Sequence, residues 1–178
     1  EKITIKMTME AYVEGMYTAF KDYVPKRSVK TPAEHNLLLT LSKEPLNEEN
    51  HRVLKRGYQS AVGMILWASR GVYPQSLFAV SQLCKLMSKP TEEAWNAAMH
   101  LIAWMYEKKT IGITFSSNGN DTPIFMSDAT NKGDPTDSKR QHGHCGIWKD
   151  GCIMALSKKL DHSSSATAAN EYMALAHA

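Results

Sequence analysis

Few residues in this chain have types and spacing that suit chemistry, and two acids lead. Asp128 ends a short apolar run in Ser127-Asp128-Ala129, and Glu171 lies just inside an Ala-rich helical pattern, Asn170-Glu171-Tyr172-Met173-Ala174-Leu175. One acid thus stands at the end of an apolar run and the other on a helical pattern. Taken singly, Asp128 reads as a solvated strand-end or turn carboxylate and Glu171 as a polar position on an amphipathic helix. Asp134 and Asp137 read as loop residues, since Asp-Pro and Asp-Ser favour turns. His142, His144, Cys145 and Cys152 suggest zinc, but no Cys-x-x-Cys pair is present and their spacing fits no standard finger. Packing within a strand is the better account of them. No Gly-rich phosphate loop and no Ser/His/Asp order is found.

The elements that would position these residues fall into two regions. Ile3, Ile5 and Met7 alternate with polar residues as in a short strand. Met9 to Tyr23 repeats apolar residues at helical spacing, and residues 24 to 50, with three prolines, read as a long connection. His51 to Ser69, Gln75 to Ser88 and Thr91 to Glu107 are expected as three amphipathic helices, with Pro74 in a first turn and Thr91 as N-cap. Trp95 and Trp104 fall on apolar helical faces and read as core, as do the ten methionines. After Lys109 the period changes to two. Ile111 to Ser116, Pro123 to Ser127, His142 to Lys149 and Ile153 to Ser157 are expected as a meander of four strands feeding a helix, Ala166 to Ala178. The fold class expected is α+β or α/β: a mostly helical part over 1–109, then a sheet-and-helix part over 110–178.

Composition adds bounds. A chain of 178 residues with 43% hydrophobic content can build a core. No apolar run is long enough to cross a bilayer, and the charged N-terminus is unlike a signal peptide. Three cysteines at irregular spacing suit reduced thiols in an intracellular protein. Net charge is +3; through Lys109 there are 15 Lys+Arg against 11 Asp+Glu, and after it 6 against 7. The basic surplus gathers at Lys26, Arg27 and Lys30 and at Arg52, Lys55 and Arg56, which read as solvated faces able to meet phosphates.

In order along the chain, many short motifs resemble copia-type retrotransposon polyproteins, from the end of the reverse transcriptase into the ribonuclease H domain. Ile3 to Phe20 is similar to the segment after the polymerase active site, and Lys30-Thr31-Pro32 to a Thr-Pro downstream of it. Tyr58 to Gly63, Phe78 to Leu83, Met87 to Thr91 and Trp95 to Ala98 follow the family's thumb-like helices. Ser127-Asp128-Ala129, Gly133-Asp134-Pro135 with Lys139, Lys158-Lys159 and Glu171-Tyr172 complete the likeness. The chain departs at Tyr73-Pro74-Gln75, where the family has Arg-Pro-Asp, and at Ala169-Asn170, where an acid is lost. A Trp common in the family is also missing near Asn131.

The resemblance implies a thumb-like region over 1–109 and the opening half of a ribonuclease H-like domain over 110–178. The parent enzyme would cleave the RNA strand of an RNA–DNA hybrid by two-metal hydrolysis with Mg²⁺ or Mn²⁺. It assigns Asp128 and Glu171 as catalytic metal ligands, and Lys139, Lys158 and Lys159 as nucleic-acid contacts. The family's other carboxylates belong to a later strand and helix, so the isolated chain is expected to be inactive. The alternative is a catalytically dead remnant serving as a nucleic-acid-binding or protein-interaction module. Partners implied are the hybrid and the remainder of the polyprotein, with no membrane. The location implied is intracellular, in a cytoplasmic virus-like particle or the nucleus. An incomplete sheet would also expose an edge and invite self-association.

Overall fold

The computed structural model describes residues 2–35, 37–130, 134 and 138–160. Contacts divide the chain into two compact units, Thr8–Gly112 and Glu1–Met7 with Ile113–Ala178. The N-terminal strand therefore clusters with the sheet-bearing unit, not with the helices that follow it in sequence.

The helical unit is built on α1 (Glu10–Phe20), α2 (Glu48–Lys55), α3 (Tyr58–Gly71), α4 (Leu77–Cys84) and α5 (Glu92–Glu107). Helix α5 carries the core. Thr91 caps it by accepting from the Ala94 amide at 3.2 Å, and Glu92 and Glu93 suit the positive end of the helix dipole. Nine of its residues are buried, with Ala94 and Ala98 letting neighbours approach between Trp95, Leu101, Ile102 and Met105. Helix α1 buries Val13, Met16 and Phe20 at helical spacing. Tyr17 stacks on Tyr106 with centroids 3.8 Å apart, and Phe20 meets Trp95 edge-on at 6.1 Å. The connection from α1 to α2 has no regular element among its described residues. It is pinned instead, with Val24, Val29 and Leu39 buried and Glu107 accepting from the Val29 amide and the Ser28 hydroxyl.

Two expected helices differ in extent. The run from His51 to Ser69 is two helices, because Gly57 takes φ +92°, a left-handed conformation that ends α2 and starts α3. The Gln75 to Ser88 helix is a 3-10 turn, Pro74–Ser76, leading into α4, which ends at Cys84. Beyond it, amides of Lys85, Leu86, Met87 and Lys89 bond carbonyls three residues back, tightening the chain before Pro90. Tyr58 bridges α3 and α4, its buried hydroxyl donating to the Leu83 carbonyl at 2.9 Å.

The sheet unit holds β1 (Thr4–Met7), β2 (Ile113–Ser116), β3 (Ile124–Ala129), β4 (Gln141–Trp148) and β5 (Gly151–Lys159). The expected four-strand meander is corrected here. β2 pairs with β1, Thr4 opposite Ser116, in a two-stranded sheet, while β3, β4 and β5 form a three-stranded antiparallel sheet of their own. The Ile3-Ile5-Met7 alternation signals a strand but carries no information about its partner 106–112 residues away. β4 and β5 join through Lys149 and Asp150, both with positive φ, a two-residue turn whose twist matches that of the strands. Gly151 follows because a Cβ there would collide with the Phe115 ring. The expected helix from Ala166 to Ala178 lies outside the described residues.

Candidate functional site

Asp128 is set on β3, an edge of the three-stranded sheet among the described residues, directly opposite Gly143 of β4, which in turn opposes Ser157 of β5. It is exposed, and one carboxylate oxygen accepts from the amide of its own neighbour, Ala129, at 2.8 Å. The residue beside it across the ladder, Gly143, has no side chain. Glu171 lies outside the described residues. Among the described residues no group of three or more His, Cys, Asp or Glu side chains could hold a metal.

The three lysines separate. Lys159, two residues beyond Ser157 on the same face of β5, pairs with Asp134 at 3.0 Å. Asp134 is buried, its amide donating to the Lys139 carbonyl at 2.8 Å and its own carbonyl accepting from Ser138. Asp134 is thus a buried anchor rather than an ordinary loop residue, and it binds Lys159 and folds the chain around Lys139. Nothing in the local sequence marks this, because Gly133-Asp134-Pro135 reads as a turn whether or not its acid is buried. Lys158 is exposed on the opposite face and faces His142 in the register, whereas Lys139 is partly buried.

The four suspected zinc residues do not converge. Along β4 burial alternates, placing His142 and His144 on one face and Cys145 on the other. Both histidines are nearly fully buried, with ring centroids 5.8 Å apart. Cys145 lies instead beside Cys152, the sulfurs 3.7 Å apart. The sequence reading of an ordinary strand agrees with this arrangement.

In the helical unit, Tyr23, Glu48, His51, Arg52, Lys55 and Arg56 line an open concavity of about 520 Å³. Its charge is partly cancelled. Glu92 binds Arg56 at 2.6 Å and Arg52 at 3.2 Å, and its carboxyl is held below the usual range chiefly by the Arg56 hydrogen bond. Trp95 and Trp104 are core residues, while Trp67 is exposed and Trp148 is partly so, its indole donating to the Asp121 carbonyl at 3.0 Å. Among the described residues no helix is long and apolar enough to cross a membrane.

No family model and no solved structure matches this chain. Two curated proteins are similar to it. One is the Secreted RxLR effector protein 161 of Plasmopara viticola, 29% identical over 121 residues, covering 68% of this chain and 85% of that protein. The other is the Retrovirus-related Pol polyprotein from transposon TNT 1-94 of Nicotiana tabacum, 27% identical over 171 residues. That match takes in 94% of this chain but 13% of the polyprotein, so the chain spans about an eighth of its relative's length. A likeness to that polyprotein that runs through most of this chain supports a copia-type retrotransposon origin.

Proposed function

We propose that residues 8–112 are a thumb-like helical unit and that residues 113–178 open a ribonuclease H-like domain, within a polyprotein that cleaves the RNA strand of RNA–DNA hybrids. The observation that carries this reading is the antiparallel β3-β4-β5 sheet with Asp128 exposed on its edge strand. On this reading Asp128 and Glu171 supply two of the oxygens for Mg²⁺ or Mn²⁺, and Lys158 meets the nucleic-acid backbone. Lys159 and Lys139 act indirectly, through the Asp134 anchor. A second reading is favoured by one feature: Asp128 belongs to no metal-holding group among the described residues. It is a module that keeps hybrid binding and has lost cleavage.

The test measures Mn²⁺-induced broadening of the amide resonances of residues 127–129, together with binding and cleavage of a labelled RNA–DNA hybrid, in the native chain and in Asp128→Asn. The first reading expects broadening that the substitution abolishes, with any hybrid cleavage abolished alongside it. Hybrid binding without broadening or cleavage, unchanged by Asp128→Asn, selects the binding module. A folded chain that neither broadens nor binds hybrid overturns both.

A further inference from the structure

Cys145 and Cys152 are placed by an irregularity in the β4–β5 ladder. Cys145 opposes Ala155 and Cys152 opposes Ile147, so the two cysteines occupy diagonal positions on one face. In a regular ladder such positions stand roughly 7–8 Å apart, too far for a relaxed disulfide. Here the register shifts between Gly146 and Ile147: Gly146 faces Met154 and Ile147 faces Cys152, which leaves Ile153 unmatched. A bulge of this kind bends its strand and sharpens the twist, and the two sulfurs lie 3.7 Å apart. Both cysteines are free and half-buried, so a small oxidant can reach them. Cys84, in α4, has no cysteine beside it, and burial pushes its thiol up as it does that of Cys145.

We propose that Cys145 and Cys152 form a reversible redox pair, closing to a disulfide across the β4–β5 bulge on exchange with a low-molecular-weight disulfide such as oxidised glutathione. One cysteine thiolate attacks a glutathione sulfur, breaking the glutathione S–S bond and releasing one glutathione thiolate. The second cysteine thiolate then attacks the protein sulfur of the mixed disulfide and displaces the other. Two electrons pass from the cysteines to the glutathione, and the two thiol protons go to solvent or to the released thiolates. The bond staples the hairpin on the face of Asp128, two residues along β4 from Gly143 and five along β5 from Ser157.

The experiment exposes the folded chain to oxidised glutathione, blocks remaining thiols by alkylation and maps tryptic peptides without reduction. Cleavage after Arg140, Lys149 and Lys158 puts Cys145 and Cys152 on separate peptides, 141–149 and 150–158. The expected result is those two peptides joined, lighter by two hydrogens and separated by dithiothreitol, with Cys84 alkylated. Cys145→Ser is expected to leave glutathione on Cys152, and Cys84→Ser is expected to leave the cross-link intact. Folded protein whose two peptides emerge separately, alkylated or glutathionylated, overturns the proposal. So does a link that forms only in denaturant or between chains.

Discussion

Asn50 shows how much a single side chain holds. Its Oδ1 accepts from the Asn47 amide while the Asn47 side chain accepts from the Asn50 amide, and its Nδ2 reaches across to the Pro90 carbonyl at 2.9 Å. One buried amide thus caps α2 and ties it to the start of α5. Asn50→Ala loses the reciprocal cap and strands a buried carbonyl, and is expected to cost about 2–3 kcal/mol in urea unfolding. Glu92 gives a pH signature. Its folded carboxyl is depressed by Arg56 and then Arg52, so its stabilisation is complete above the unfolded value of about 4.3. That stabilisation is lost as pH falls through the lower, folded value. Glu92 is about a third exposed, so the effect is expected to stay below about 1 kcal/mol. Urea midpoints of Glu92→Gln should match the native protein's pH slope above about pH 5 and decline less steeply than the native protein below about pH 4.

At the scale of elements, two glycines of one sequence region behave oppositely. Gly57 has φ +92°, and a Cβ there meets only Phe20 at 3.8 Å, so space is available but the backbone conformation is unfavourable. Gly63 lies on the exposed face of α3 with nothing within 4 Å of a built Cβ. Gly57→Ala is expected to destabilise by about 1–2 kcal/mol, and Gly63→Ala to stabilise by about 0.5–1 kcal/mol. Thermal or urea unfolding of the two variants side by side checks both signs. The sequence shows the apolar stripe that runs through both α2 and α3, but not which glycine breaks it. Either could sit in a helix; the structure puts the left-handed residue at Gly57, next to the Tyr58 whose hydroxyl reaches the Leu83 carbonyl.

At the scale of the whole molecule, the described sheet residues leave much apolar surface in water. Ile124, Phe125, Met126 and Ile153 are each 46–53% exposed, and every residue of β1 is exposed. Edge strands with such side chains and few charges favour association between copies. The chain is expected to self-associate with rising concentration, and Ile124→Lys is expected to weaken that association about tenfold, the equivalent of one buried aliphatic contact. Sedimentation across a concentration series checks it; a concentration-independent monomer contradicts it.

By itself the sequence determined the periodicities: a helical stretch, then alternation, with Thr91 capping the longest helix and Trp95 and Trp104 within its core. It also determined the retrotransposon likeness, since order and spacing of short motifs survive in the chain itself. Tertiary structure alone decided that β1 leaves its sequence neighbours to pair with β2, that Asp134 is buried against Lys159, and that Cys145 meets Cys152. Each is a long-range pairing or a local register shift. Side-chain type and period leave these open, because an alternating strand can bury the same face against any partner, and an acid or thiol looks the same in sequence whether it meets water or another side chain.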